Sequence, residues 1–282
     1  MAQLIRIDDN RGGYHQLVDY VLERGRKQSS RNGDTLEVND MIIELANPTK
    51  ALPVGIGRAN YSNALAALEG LQLVAGTTYD DLMVKVAPST GQFREDDGMF
   101  HGGYGRRIGE QMNIITERLA KDHDTRQAVV TIWNPKFDSV GGKKDHPCTC
   151  LFNWRIRDGK LLMSTFMRSQ DVHWGWPYDV VMFCTLQLTM AKYLGVECGP
   201  YTHHAASFHI YTKDVPQLRV LTPWNGEDVL IGPVGNGTAE SWSDVQLDAR
   251  ALIEAAKAND ELEDMSNDER WYYDVLQRRL AK

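Results

Sequence analysis

Hydrophobic and polar positions along this chain follow two periods, and the switches between them mark its elements. Residues 14–23 read as a first helix. A polar, glycine-containing loop follows at Ser29-Ser30-Arg31-Asn32-Gly33-Asp34, then strand-like alternation through Met41-Ile42-Ile43-Glu44-Leu45. Ser62 or Asn63 can cap a helix that runs to Gly76. Ile108, Met112, Ile115 and Leu119 recur at helical spacing and mark another amphipathic helix. Three β-branched and aromatic runs follow, at 127–133, 149–156 and 160–167. The last two flank Arg157-Asp158-Gly159, a hairpin signal. Residues 180–194 are apolar nearly all round, which predicts a buried helix, and 207–211 predict a short strand. From Ala239 the tail is helical and charged, with a break near Asn259-Asp260. The Gly- and Asp-rich stretch 87–100 is expected to be a mobile loop.

No internal repeat interrupts these elements and composition never shifts sharply. They predict one α+β domain over 1–282, a central mixed sheet flanked by helices, with 240–282 as a helical tail. The apolar fraction of 42% and charged fraction of 24% are ordinary for a globular protein. A formal charge of −7 argues against an extended nucleic-acid surface, although a few local arginines can still hold a small anion. The first residues meet charge early and show no apolar leader, and no run is long enough to span a bilayer. Four cysteines in 282 residues do not make a disulfide scaffold. The expectation is a cytoplasmic protein with reduced thiols and no membrane segment.

The cysteines offer the first candidate chemistry. A buried strand cysteine is most often a small hydrophobe, and Cys150, Cys184 and Cys198 keep that reading. Alternation puts Cys148, Cys150, Phe152, Trp154 and Ile156 on one strand face. Cys148 differs because it follows Pro147 at the strand entrance, after a Gly-Gly-Lys-Lys loop, where a side chain can face a cleft. A thiolate there needs a positive neighbour. Arg168 ends the second arm of the hairpin, so it could lie close to Cys148 and serve a phosphate or a thiolate, or merely pair at the surface. Cys-x-Cys with His146 and His203-His204 lacks zinc spacing, so no metal is expected. Glu69 lies at the border of the Leu65, Leu68, Leu71 and Val74 stripe, where a carboxylate is most often solvated. Gly70 beside it, in mid-helix, signals close packing or ligand approach.

Several motifs in register then carry a resemblance. Pro147-Cys148, Arg168-Ser169-Gln170-Asp171-Val172, Gly175-Trp176-Pro177-Tyr178-Asp179 and His209-Ile210-Tyr211 resemble, in order and spacing, the thymidylate synthase family. Its pattern is a Pro-Cys nucleophile, Arg-Ser-x-Asp-Val, a Gly-x-Pro-Phe-Asn turn and a His-x-Tyr strand. Asp124-Thr125-Arg126 and Ile132-Trp133-Asn134 are similar to its Asp-Ser-Arg-Arg and Ala-Trp-Asn. Glu69 aligns with its helix glutamate, Gly76 with a following glycine, and Arg31 with its N-terminal phosphate arginine. The match is strong over 104–212, weaker over 29–76 and absent after about 225.

The resemblance implies a homodimer packed through the sheet, with shared active sites. The substrate would be a pyrimidine nucleoside monophosphate and the co-substrate 5,10-methylenetetrahydrofolate. Cys148 would add to pyrimidine C6, make C5 the nucleophile and leave again. Arg31, Arg168 and Ser169 would hold the 5′-phosphate, and Arg126 would reach the phosphate bound in the other subunit. Gln127 replaces the family's second arginine there, removing one charge. His209 and Tyr211 would bond the sugar 3′-hydroxyl. Glu69 would order water and relay protons, with Tyr104 of the Tyr-Gly motif as a further catalytic residue. Asp171 and Gly175 would hold the folate.

Two departures point away from thymidylate itself. Asp179 stands where thymidylate synthases have asparagine, and related phage deoxycytidylate hydroxymethylases carry this exchange. An amide suits uracil O4 and N3–H, whereas a protonated carboxyl suits cytosine N4–H and N3. The competing reading is a plain helix N-cap after Pro177-Tyr178. Secondly, 87–100 contains no tryptophan and the chain ends Gln277-Arg278-Arg279-Leu280-Ala281-Lys282, unlike the family's apolar tail. A site closed less tightly favours water as the terminal nucleophile, although Trp174 and Trp176 could partly substitute. Hydroxymethylation of dCMP is therefore the expected reaction. Its rivals within the family are dCMP methylation, CMP hydroxymethylation and a thymidylate synthase or dUMP hydroxymethylase. Ser169 matches the deoxy-specific pattern, and a modified cytosine would suit a phage or an antibiotic-type pathway. Outside that chemistry stand a silent nucleotide- or RNA-binding relative and a Cys–His hydrolase using Cys148 with His203 or His209.

Overall fold

A computed structural model describes residues 3–52, 61–221, 229–235, 238–260 and 262–281. In chain order come β1 (Gln3–Ile7), α1 (Asn10–Arg24), β2 (Arg26–Ser30), β3 (Gly33–Leu45), α2 (Asn63–Ala75), α3 (Asp80–Val86) and α4 (Tyr104–Lys121). After them follow β4 (Ala128–Thr131), α5 (Pro135–Asp138), β5 (Thr149–Arg157), β6 (Lys160–Met167) and β7 (Gln170–Asp171). The last elements are α6 (Trp176–Leu194), β8 (Glu197–Tyr211), α7 (Val215–Leu218), α8 (Trp242–Ala258) and α9 (Asn267–Leu280). The strands make one mixed sheet in the order β1-β3-β8-β6-β5-β4, with β2 beside β3 and β7 beside β8. The architecture is the expected α+β one.

Local signals set most boundaries. Ser62 caps α2 by accepting from Leu65 N, and Gly76 closes it in the left-handed region. The hairpin between β5 and β6 turns on Asp158 and Gly159, both at positive φ (50° and 72°), the geometry that two-residue hairpin loops demand. First-helix residues extend back to Asn10 because Asp9 Oδ1 accepts from Gly12 N at 2.9 Å. Strand β4 is shorter than the 127–133 run, ending at Thr131.

Two expectations about strands are corrected. The segment 207–211 is only the end of β8, which has 15 residues. His203-His204-Ala205-Ala206 conceal a strand in sequence, but β3 and β6 pair with it on both sides, so ladder hydrogen bonds hold it. In β5 the register shifts between Thr149 and Leu151. One extra residue reverses the alternation, so Thr149, not Cys148 or Cys150, joins Phe152, Trp154 and Ile156 at 4% exposure or less.

On the inner face α2 and α6 pack closely. A Cβ at Gly70 would stand 3.0 Å from Thr185 Oγ1, so the mid-helix glycine does mark close packing. Phe183 of α6 sits at the centre, with ring centroids 5.0 Å from Phe152 and 6.3 Å from Tyr104. Helices α8 and α9 pack against α2. The other face of the sheet leaves Leu4, Val129 and Phe166 at 56%, 41% and 39% exposure, and Phe166 stacks on His204 at 4.3 Å. Residues 87–100, expected to be loose, contain a 3₁₀ turn and are tied to the loop before Cys148. Glu95 Oε1 accepts from Lys144 N (2.8 Å) and Asp145 N (3.2 Å).

Candidate active site

The hairpin brings Cys148 and Arg168 together. Arg168 N donates to Cys148 O at 2.9 Å, and its guanidinium donates to Pro147 O (3.0 Å), His146 O (3.3 Å) and the thiol Sγ (3.7 Å). The exposed guanidinium also lies 5.6 Å from the Trp133 ring centroid, within cation–π range. Arg168 does favour the thiolate, but burial outweighs it. Together with Asp179, Asp145 and Asp171, burial pushes the Cys148 thiol up to about 11. At neutral pH the Cys148 thiol therefore rests protonated.

Asp179 of α6 acts on that thiol, and on Glu69 of α2 in turn. Burial, and then the charge of Asp179, push Glu69 of α2 up to about 8. Far from being a solvated border residue, Glu69 holds a proton at neutral pH. Burial also pushes Asp179 of α6 up to about 7, aided by Asp171 and opposed by a hydrogen bond from Gln170. Asp179 is not the helix cap: Gly175 is, and Asp179 lies four residues beyond it. Gln170 Nε2 donates to Asp179 Oδ2 at 2.8 Å. Tyr104 completes the cluster, its hydroxyl accepting from Thr149 N at 3.3 Å, with burial, Asp179 and Cys148 all raising its pKa.

Asp171 folds the next turn, Oδ1 accepting from His173 N (2.7 Å) and Trp174 N (2.9 Å). Trp174 is 42% exposed and pinned by a bond from Nε1 to Asp214 Oδ2 at 2.9 Å. Trp176 cannot substitute for a cleft tryptophan, because it is fully buried against His203 and Phe208. Gly175 has a structural reason of its own, since a Cβ there would lie 2.5 Å from Gln170 Nε2.

On β8, His209 and Tyr211 stand with ring centroids 5.3 Å apart, and Ser207 links His209 Nδ1 to Glu37 of β3. Burial lowers the pKa of His209 although Glu37 opposes it. Ser169 lies between Arg168 and Gln170 in the same turn. Arg31 is exposed at the tip of the β2–β3 hairpin, whose Thr35 pairs with Tyr211, but no described contact joins it to Cys148. Arg126 is also exposed, on a shallow cavity of about 550 Å³ with Arg118, Lys121 and Asp124. A second cavity of about 610 Å³, lined by Arg107, Trp133, Asn134 and Lys143, does not include Cys148. His203 bonds Tyr201 through Nδ1 at 2.8 Å, and burial drops its pKa to about 3. Neither histidine is bonded to Cys148 among the described residues, which disfavours a Cys–His hydrolase.

The thymidylate synthase family model matches residues 12–223, a stretch that contains every one of these groups. The chain belongs to the thymidylate synthase family. Members of this family transfer a one-carbon unit from 5,10-methylenetetrahydrofolate to a pyrimidine nucleotide. A protein of Bacillus phage SP01 named deoxyuridylate hydroxymethyltransferase is 31% identical over 218 residues, 71% of this chain and 57% of its own length. A Methanothermobacter marburgensis protein, named provisionally as a thymidylate synthase, is 28% identical over 78% of this chain and 97% of its own. The Bacillus licheniformis thymidylate synthase is 29% identical over 46% and 50%. The chain thus spans little more than half of the phage relative's length.

For a family member, the donor set fits a folate. Asp171 offers a carboxylate to the N–H groups of a pterin, and the exposed Trp174 indole beside it offers an apolar face. Among the described residues, no three His, Cys, Asp or Glu side chains gather to hold a metal, and no helix is long and apolar enough to cross a membrane. Gln170 and Glu37 were missed in sequence. Gln170 fell on the variable position of Arg-Ser-x-Asp, and only the fold turns its amide towards Asp179.

Proposed function

We propose that this chain hydroxymethylates C5 of dCMP, converting dCMP, 5,10-methylenetetrahydrofolate and water into 5-hydroxymethyl-dCMP and tetrahydrofolate. The observation that carries this reading is Asp179, a half-buried, desolvated carboxyl at the start of α6 whose pKa of about 7 lets it hold a proton. Such a group can donate to cytosine N3 and accept from N4–H, where an asparagine suits uracil. The phage relative's name supplies a precedent for the hydroxymethyl outcome, although that name specifies a uracil nucleotide.

The residue roles follow the family resemblance, and the geometry supports part of them. Cys148 loses its proton and forms a C–S bond to C6, and that bond breaks again when the ring is restored. Arg168 steadies the thiolate as it forms and, with Ser169 and Arg31, holds the phosphate. Glu69 takes and returns protons near the base, and Tyr104 holds the Thr149 backbone beside the thiol. His209 and Tyr211 hold the sugar. Asp171, with Gly175 shaping the turn, would hold the folate, which supplies the one-carbon unit when bound.

Incubating dCMP, CMP and dUMP separately with methylenetetrahydrofolate and weighing the products tests the reaction. In the same assay Asp179→Asn should move the dCMP:dUMP ratio of kcat/KM by about 10²-fold or more, since each buried mismatch costs about 1–3 kcal/mol. A wild type that prefers dUMP, or a ratio that Asp179→Asn does not move, ends the dCMP reading.

The same reading takes 1–282 as one catalytic domain, with 240–282 its divergent tail, acting as a homodimer. The open sheet face with Leu4, Val129 and Phe166 supports it, as does Arg126, which stands exposed away from Cys148. Mixing Arg126→Ala with Cys148→Ala should restore part of the activity, because one site of the mixed dimer regains both groups. A monomer that turns over would end the shared-site reading.

A further inference from the structure

We propose that Gln170 is the positioning residue that makes Asp179 selective: its amide N–H holds Oδ2 as an acceptor, so that Oδ1 carries the proton offered to the base. The inference rests on the reading of Asp179 as the base-selecting group, and it adds a residue which no motif assigns. Gln170 is 1% exposed on β7. Its Nε2 donates to Asp179 Oδ2 at 2.8 Å and to Asp171 O at 3.2 Å. Both neighbours are acceptors, which fixes the orientation of the amide. Its Oε1 is buried without a hydrogen-bond partner among the described residues. A leucine or methionine would fill similar space without that orphan, so the glutamine is there for its N–H groups.

Gly175 gives an independent observation. A Cβ at this position would lie 2.5 Å from Gln170 Nε2 and 3.2 Å from Asp179 Oδ2. The turn that starts α6 therefore leaves a gap which the amide and the carboxyl occupy together.

The consequence is chemical. Asp179 is faced by Glu69 from α2, Tyr104 from α4, Asp171 from β7, Tyr201 from β8 and the Cys148 thiol. Burial and Asp171 drive it towards the protonated form, and Gln170 opposes them. A protonated carboxyl without an anchor can turn over and present either a donor or an acceptor, which would admit uracil N3–H as well as cytosine N3. With Oδ2 tied to an N–H, the proton belongs on Oδ1, and uracil then meets donor against donor. Gln170 thus converts a carboxyl that could tolerate both bases into one that discriminates.

The test measures kcat/KM for dCMP and dUMP across pH in wild type, Gln170→Met, Gln170→Glu and Asp179→Asn, with melting curves as a check on folding. Gln170→Met should lower the dCMP:dUMP ratio by about tenfold, largely through gain of dUMP turnover, the scale of one unenforced hydrogen-bond mismatch. Gln170→Glu should keep its selectivity in acid, where the new carboxyl can still donate to Oδ2, and lose it as pH rises and that donor ionises. If Gln170→Met does not fold, the pH series of Gln170→Glu decides alone. Ratios within twofold of wild type at every pH, alongside a reversal in Asp179→Asn, would overturn the role of Gln170 and leave the Asp179 reading standing. A ratio unmoved by Asp179→Asn would overturn that reading, and the role of Gln170 with it.

Discussion

The tail helices and the cleft obey opposite rules. In α8 and α9 both N-termini and the C-terminus of α8 are capped by residues close in sequence. Ser241 and Asp244 exchange hydrogen bonds in a capping box, as do Ser266 and Glu269, and Asn259 closes α8 in the left-handed region at φ 57°. Val245, Ala249, Leu252, Ile253 and Ala256 then form a buried stripe at helical spacing. The cleft breaks such rules at each step. Cys148 stands at a bulged strand, Glu69 and Asp179 carry desolvated carboxyls, and Gln170 leaves an acceptor unpaired among the described residues. Where local preference and tertiary packing agree, the residues serve stability. Where they conflict, the conflict leaves groups with shifted pKa values, which is what the proposed chemistry would use.

The largest break in that comparison comes from the nucleophile. Cys148→Ser should cut release of tritium from C5 by about 10⁴-fold or more, on the scale of lost covalent catalysts. Cys150→Ala and Cys184→Ala should stay within a few-fold of wild type. Full activity without the Cys148 thiol would remove the basis of the cleft reading.

Glu69 sharpens the contrast through pH. Its folded-state pKa of about 8 lies above the ordinary carboxyl value of 4.5, so the folded protein binds the proton more tightly than the unfolded chain. The stability it contributes is complete below pH 4.5 and lost as pH rises to about 8. Glu69→Gln should therefore melt higher than wild type at pH 9 and no higher at pH 4.5, and its turnover should fall at neutral pH. Equal melting curves at both pH values would show that Glu69 is a solvated surface group.

The smallest effect belongs to the tail. Ser266→Ala removes one cap and should cost about 1 kcal/mol, lowering Tm by roughly 2–4 °C in a chain of this size. Nucleotide kcat/KM should not change. A tenfold loss of activity there would mean that α9 takes part in the site.

Much of the fold was legible, and for a local reason. Ser62 and Gly76 bracket α2, Asp158-Gly159 turn the β5–β6 hairpin, and the 180–194 run lies inside α6. Each signal rests on the residues nearest to it in sequence. Strand β8 was mostly hidden because its pairing partners lie far away, on β3 and β6. The parity of Cys148 was misread because one inserted residue leaves no mark on composition. Residues 87–100 look loose by composition, yet Glu95 ties them to a loop about fifty positions on.

The sequence by itself determined the family, the Pro147-Cys148 entrance, the arginine that would meet it and the carboxylate exchange at Asp179, because motif order and residue type survive any packing. Tertiary structure alone decided their chemical state. Burial set the thiol at about 11 and left Glu69 and Asp179 near neutrality, and the turn before α6 brought the Gln170 amide against Asp179. Desolvation and hydrogen bonding depend on what surrounds a group in three dimensions; Gly70 hints at close packing beside Glu69, but no neighbour in sequence gives the protonation state of either carboxyl.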